Sequence, residues 1–290
     1  METIRIAATV ILYNPTLEII SNAKSYANYV DKVIAVDNSE GSCNAIVQSF
    51  RGFENSVFIS NGDNLGIANA LNTAAQIAYQ EGYQWLLTMD QDSSFDKTQI
   101  ANFLHLPTGY GQGVDTVGIF TPYHATQTAG LSNYNSDKLS VVKTCMTSGN
   151  LINLEIWRQV GGFNDSLFID YVDHEYCLKI RKQGYVVLQD NTTILKHQLG
   201  EAERIKFANV SYTTSNHNYI RRYYITRNRL YFIKKYFLFD PKLCISEAYS
   251  LCAESVKILL QEKQRLKKFK SIARGIKDFL TGSYGPYRYF

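Results

Sequence analysis

The chain has 290 residues, a formal net charge of +4 and an ordinary apolar fraction of 45%, enough for one large α/β domain with an appendage. Five cysteines, an odd number with no C-x-x-C pair, exclude a disulfide framework and a zinc ribbon and read as reduced thiols of a cytoplasmic protein. The opening "METIRIAATVILYNP" has no basic leader before a long apolar run, so no signal peptide is expected, and no stretch reaches the ~20 apolar residues of a membrane span.

The first half alternates strand and helix signals. "IRIAATVIL" is an apolar run ended by Asn14-Pro15, "LEIISNAKSYA" has helical spacing, "KVIAVDNS" is a second strand and "NAIVQSF" a helix. "VFIS" is a third strand, "LGIANALNTAAQIAYQEG" a long helix closed by Gly82, and "YQWLLTMD" a fourth strand. Continuous apolar strands separated by helices predict a parallel sheet covered on both faces. Such sheets bind ligands beyond the carboxyl ends of their strands, where Tyr13 and Asn14, Asp37, Asn38 and Ser39, Asn61 and Asn64, and Asp90 and Asp92 fall. Farther on, "VGIFTPY", "VVKTCMTSGNLIN", "VVLQ" and "ILKH" read as strands, and "LEIWRQVGGFND" and "YVDHEYCLKIRKQGY" as helices. The predicted architecture is one α/β domain over 1–212. A basic, Tyr-rich helical region follows at 213–290.

The pair Asp90-x-Asp92 ends a buried strand, where two like charges need a cation. Hard carboxylate oxygens suit Mg²⁺ or Mn²⁺, ions that keep waters and bridge to substrate phosphates. A simple helix cap by Asp92, Ser93 or Ser94 is the alternative. Asp37 can accept from a base or ribose hydroxyl, or can close a solvated turn. Asn64 and Gly66 open a helix whose free amides would favour an anion. His197 ends another strand as a metal or phosphate candidate. Asp173, His174 and Glu175 begin a helix, where the dipole alone would favour acids.

The set "IAATVILYNP", "IAVDNS", "NLGIANALN", "LLTMDQDSSF", "TSGNLI", "VGGFNDSLFIDYVDHEYCLKIRKQGY" and "ILKHQLG", in this order, resembles the family 2 glycosyltransferases with the GT-A fold over about residues 4–235. The D-Q-D form and "YYITRNRLYFIKKY" are most similar to bacterial rhamnosyltransferases that use dTDP-rhamnose. The resemblance implies an inverting, metal-dependent transfer to a saccharide or lipid-linked saccharide in surface polysaccharide synthesis, with 1–212 as the catalytic domain, 1–123 its nucleotide-sugar half and 124–212 its acceptor half. It implies that Asp37 contacts the nucleotide base beside Tyr13, Asn14 and Asn38, with Asn64 and Gly66 near the nucleotide. Asp90 lies by the ribose or sugar. Asp92 coordinates the metal, and His197 joins the metal or diphosphate site. Ser148, Gly149 and Asn150 border the acceptor, with Glu175 on a following acidic position. Asp173 is the general base, although Val172 stands where the family commonly carries Glu.

Charge divides unevenly: residues 1–216 sum to −7 and residues 217–290 to +11. In "RRYYITRNRLYFIKKY", Arg227 is the candidate diphosphate ligand, against simple packing of the helix on the core. In "RLKKFKSIARGIKDFL", Leu266, Phe269, Ile272, Ile276 and Phe279 share helical spacing, with Lys267, Lys268, Lys270, Arg274 and Lys277 around them. That pattern suits a helix on an anionic membrane at the inner face of the cytoplasmic membrane. Docking on its own domain or on a homodimer partner is the alternative. Nucleic acid is not expected, because the body is acidic and no binding motif occurs. Three other readings compete: a UDP-sugar donor, a nucleotidyltransferase, and a non-catalytic sugar-nucleotide or membrane-binding scaffold. "YNPTLE" stands where a nucleotidyltransferase would carry a Gly-rich basic loop, and the retained acids argue against a scaffold.

Overall fold

The computed structural model describes residues 4–124, 138–197, 203–207, 210–214 and 217–289. Four parallel strands form the first half: β1 (Ile6–Leu12), β2 (Lys32–Asp37), β3 (Ser56–Ser60) and β4 (Trp85–Asp90). Between them lie α1 (Glu18–Ala23), α2 (Asn44–Arg51) and α3 (Ile67–Gln80). The strands were legible as continuous apolar runs because both faces are covered. Ala8, Val10, Val33, Ala35 and Leu87 belong to one buried layer. Ala7, Ile34, Val36 and Leu86 belong to the opposite layer, under α3. The buried alanines of α3 (Ala68, Ala70, Ala74, Ala75 and Ala78) keep that helix close to the sheet.

The second half contributes β5 (Ser93–Ser94), α4 (Lys97–Leu104), α5 (Leu106–Gly109), β6 (Val117–His124), β7 (Leu139–Val141) and β8 (Asn150–Asn153). It continues through α6 (Leu154–Val160), α7 (Val172–Lys182) and β9 (Val186–His197) to the hairpin β10 (Glu203–Phe207) and β11 (Val210–Thr214). The main sheet runs β3-β2-β1-β4-β8-β6-β9-β5, with β7 also on β9. Strand β8 is antiparallel to both β4 and β6, so the sheet is mixed rather than simply parallel. Three local expectations change. "VVKTCMTSGNLIN" is strand only at Leu139–Val141 and Asn150–Asn153, and "VVLQ" and "ILKH" join into the single β9. The cap of α4 is Asp96, whose carboxylate accepts from Thr98 N at 2.9 Å, which leaves Asp92 out of that role.

Three long helices complete the chain: α8 (Tyr219–Tyr236), α9 (Pro241–Gln261) and α10 (Arg265–Thr281). Helix α8 buries Arg222, Arg227, Asn228 and Arg229 along with Tyr223, Tyr224, Phe232 and Tyr236. Arg222 donates to Glu254 and Glu262, both at 2.7 Å, and Arg229 to Glu254 at 2.8 Å. Helix α10 packs inward through a polar and small stripe, Lys268, Ser271, Gly275 and Asp278. At Gly275 a Cβ would lie 2.8 Å from the Tyr223 carbonyl, so glycine permits the close crossing with α8. Lys268 therefore corrects the surface expectation: it is buried and donates to Glu262 at 2.6 Å. Among the described residues no helix is long and apolar enough to cross a membrane.

Candidate active site

The parallel register sets Leu12 beside Asp37, Asp37 beside Ser60, and Ile11 beside Asp90. The polar ends of four strands therefore share one sheet edge. Asp37 is buried there at 1% exposure. Its Oδ1 accepts from Ser39 N at 2.9 Å, while its Oδ2 is buried with no hydrogen-bond partner. A buried carboxylate oxygen without a donor is costly. Ser39 Oγ accepts from Asn14 N at 2.8 Å, and Asn14 takes a φ of 45°. Tyr13 is half exposed beside it. Asn38 spans the edge, donating to the Gly66 carbonyl at 3.0 Å and accepting from Asn61 at 2.6 Å.

The start of α3 corrects one expectation. The Gly66 amide donates to Asn64 Oδ1 at 3.0 Å, and the Ile67 amide donates to the Phe168 carbonyl at 2.7 Å. These amides are not free for an anion. Gly66 has φ 87°, and a Cβ there would lie 2.7 Å from the Phe168 carbonyl oxygen. The close approach that glycine permits is to the loop before α7.

Gln91, between the two acids, staples the site. Its amide accepts from Tyr13 N at 3.0 Å and donates to Tyr13 O at 3.3 Å, while its carbonyl accepts from Asn22 at 2.9 Å. Asp90 N donates to Ser148 Oγ at 3.0 Å, and Gly149 N donates to Thr88 O at 2.6 Å. His124 Nε2 donates to the Ser148 carbonyl at 2.7 Å. Ser148 and Gly149 are thereby held against the end of β4. Asn150 is buried and turns inward, donating to Met146 O at 2.7 Å. Asp92 is exposed, and Ser93 Oγ donates to it at 3.5 Å. Backbone pairing sets His197 opposite Ser93, and the His197 side chain lies outside the described residues. Among the described residues no three His, Cys, Asp or Glu side chains converge as a metal cage. An Asp92 carboxylate at an open strand end still fits Mg²⁺ or Mn²⁺, which take one or two protein carboxylates and complete their shell with phosphate and water.

Asp173 stands at the start of α7 with 22% of its side chain exposed. Its Oδ1 accepts from His174 N at 2.8 Å and from His174 Nδ1 at 2.9 Å. Burial pushes the Asp173 carboxyl up, but the charge and hydrogen bonds of His174 outweigh it and hold the group below the usual range. Burial pulls His174 down, and the Asp173 charge overcomes it, so the imidazole is pushed up to about 9. Asp170, not expected from the sequence, lies three residues upstream. Burial first, and Asp173 in part, raise its carboxyl, while Arg221 donates to its Oδ1 at 3.1 Å.

The loop carrying these acids is held from behind. Phe168, Asp170 and Tyr171 have φ of 67°, 61° and 65°, a conformation non-glycine residues rarely adopt. Asn228 donates to the carbonyls of Leu167, Ile169 and Asp170 at 2.8, 2.7 and 3.0 Å. Arg227 corrects a second expectation. It is fully buried, donating to Gly285 O at 2.8 Å, Leu167 O at 3.1 Å and Tyr223 Oη at 3.2 Å. Its guanidinium supports the loop, which leaves the diphosphate to other groups. Glu175 is the third correction: it is fully buried, accepting from Lys235 at 2.6 Å and Tyr236 at 2.9 Å, so it fixes α7 to α8 instead of facing an acceptor.

The family model "Glycosyl transferase family 2" matches residues 13–125, the segment from the end of β1 to the end of β6. A dTDP-rhamnosyl transferase, RfbF of Shigella flexneri, is 24% identical over 307 aligned positions that cover 98% of each chain. Both similarities support reading the chain as a family 2 glycosyltransferase. The chain also shares its fold with a crystal structure of GalNAc-T7 with UDP, GalNAc and Mn²⁺, at a TM-score of 0.56 and 13% identity. That alignment covers 67% of this chain and 44% of the other. The GT-A fold expected from the sequence motifs is thus the fold observed, with α8–α10 as a helical extension.

Proposed function

We propose that the transferase moves rhamnose from dTDP-rhamnose to a saccharide hydroxyl, with inversion, in the assembly of a bacterial surface polysaccharide. The carrying observation is the buried Asp37 Oδ2, without a partner, on the same sheet edge as Asp90 and Asp92. An imide N–H of a thymine or uracil ring would supply its missing donor. The nucleotide and sugar follow the full-length similarity to a dTDP-rhamnosyl transferase, and a UDP-sugar would use the same Asp37 contact.

On this reading Asp173 accepts the proton of the acceptor hydroxyl as that oxygen bonds to the anomeric carbon. The bond from that carbon to the diphosphate oxygen breaks, and its electron pair leaves with dTDP. One displacement on the opposite face inverts the centre. His174 holds Asp173 Oδ1, which leaves the other carboxylate oxygen for the proton. Asp92, with His197 as the second candidate ligand, would hold Mg²⁺ or Mn²⁺, an ion that would neutralise charge developing on the diphosphate. The bound Mn²⁺ and UDP of the GalNAc-T7 structure support a divalent ion in this role.

Helix α10 leaves Leu266, Ile276 and Leu280 exposed, with exposed Lys267, Lys270 and Lys277 beside them. This supports contact with an anionic membrane carrying a lipid-linked acceptor. Vesicles of anionic lipid should sediment the full chain, and Leu266→Glu with Leu280→Glu should abolish it.

The test of the reaction is release of dTDP from dTDP-rhamnose with candidate acceptors, in wild type and Asp173→Asn. Loss of turnover with dTDP binding retained supports the assignment. Normal turnover in the variant overturns Asp173 as base.

A further inference from the structure

In the sequence Cys145 and Cys177 stand 32 residues apart and share no motif. The fold brings their Sγ atoms to 3.6 Å. Cys145 is half-buried in the irregular segment between β7 and β8, and Cys177 is buried in the middle of α7. Asn150 Nδ2 also donates to the Cys145 sulfur, at 3.3 Å. The hydrogen bond with Cys145 first, and burial second, push the Cys177 thiol up, and the charge of Asp173 adds to this. The sugar-transfer chemistry uses neither sulfur.

We propose that Cys145 and Cys177 form a modification site that closes to a reversible disulfide on exposure to a hydroperoxide and thereby slows sugar transfer. The half-buried Cys145 meets the oxidant first. Its sulfur attacks the terminal peroxide oxygen, the O–O bond breaks, and the electron pair leaves on the other oxygen, which takes the thiol proton to become an alcohol or water. The Cys177 sulfur then bonds to the sulfenic acid sulfur, the S–O bond breaks, and the departing hydroxide takes the Cys177 proton as water. Two thiols lose two electrons in all, and the hydroperoxide gains them. Closure brings the sulfurs to about 2.05 Å, a movement of roughly 1.5 Å. Helix α7 is fixed to α8 through Glu175, so the irregular segment has to give. That segment runs on into residues pinned to β4: Thr147 O accepts from Thr88 Oγ1 at 2.6 Å, and Ser148 Oγ from Asp90 N at 3.0 Å. Cys177 follows Asp173 by one helical turn. Oxidation therefore shifts the acceptor border against the base. The bond itself is independent of the sugar-transfer reading, and only its effect on turnover rests on that reading.

The test treats the reduced full chain with hydrogen peroxide, blocks the remaining thiols and maps peptides without reductant, with turnover and dTDP binding measured on the same samples. A Cys145–Cys177 peptide should appear, turnover should fall at least roughly tenfold, and dithiothreitol should reverse both, with dTDP binding retained throughout. Cys145→Ser should show neither the bond nor the peroxide sensitivity, and Cys177→Ala should show no bond. Absence of the Cys145–Cys177 peptide in wild type overturns the proposal. Equal peroxide sensitivity in Cys145→Ser also overturns it, by placing the oxidised group elsewhere, as does a bond that forms and leaves turnover unchanged. If the reduced chain transfers no sugar, it is the proposed function that fails, and the peptide map alone decides the site: the bond supports it and its absence overturns it.

Discussion

Replacing Asn228 by alanine removes one amide from under the loop that carries Asp170 and Asp173. That amide has two N–H groups shared among three carbonyls, those of Leu167, Ile169 and Asp170, and its oxygen accepts from Arg227 Nε at 3.0 Å. Each buried carbonyl left without a donor costs about 1–3 kcal/mol. Water entering the small cavity would recover part of this, so the expected loss is about 3 kcal/mol. A domain of ordinary stability, about 5–15 kcal/mol, stays folded after that loss. The larger consequence concerns geometry. Three non-glycine residues at positive φ persist only while their surroundings hold them, and a shift of about 1 Å in the base costs roughly a hundredfold in rate. Urea denaturation and turnover of Asn228→Ala should show both losses, with dTDP affinity changed far less. A variant within about 0.5 kcal/mol of wild type and fully active would refute the claim that α8 holds the base.

Further outcomes follow from the same contacts. Gly66→Ala should destabilise the fold by about 1–3 kcal/mol, since the added Cβ meets the Phe168 carbonyl at 2.7 Å with φ at 87°; an unchanged denaturation midpoint would count against the described loop. Glu175→Gln should cost about 3 kcal/mol by leaving Lys235 poorly paired, with the acceptor KM unmoved; a raised KM would return Glu175 to the acceptor site. His174, raised to about 9 in the fold from an ordinary 6.5, contributes stability that is complete below pH 6.5 and lost as pH rises through about 9. His174→Gln should flatten that loss and move the acid limb of the rate profile upward, because Asp173 would lose the partner that depresses it. An unshifted acid limb would contradict Asp173 as the titrating base.

The half of the site built on β1–β4 was readable because buried parallel strands are unbroken apolar runs, and the polar residue that ends each run marks its carboxyl end. Asp37, Asp90 and the succession of strands and helices along the chain follow from that pattern, whereas the sheet order β3-β2-β1-β4 does not. The acceptor side was less legible because its geometry depends on contacts across long separations. Asp170 looked like one more acid in "LFIDYVDHEY" until Asn228, 58 residues later, fixed its loop. Gln91 looked like a spacer between two metal candidates, yet its side chain ties Tyr13 to the end of β4. The extension misled most. Helical spacing of apolar residues normally marks the buried face, whereas α10 buries lysine, serine and aspartate, and α9 turns the half-buried Glu247 and Glu254 toward the arginines of α8 beside its buried Cys244 and Ile258. Sequence periodicity cannot distinguish an apolar row that faces a core from one that faces outward.

The most direct test of the donor site is calorimetric titration of the purified chain with dTDP, in Mn²⁺ and again in EDTA, alongside UDP, GDP and the Asp37→Asn variant. The expected result is binding of dTDP that weakens at least roughly tenfold both in EDTA and on removing the Asp37 charge. Absence of binding by all three nucleotides, or dTDP binding indifferent to Asp37 and to metal, would contradict it.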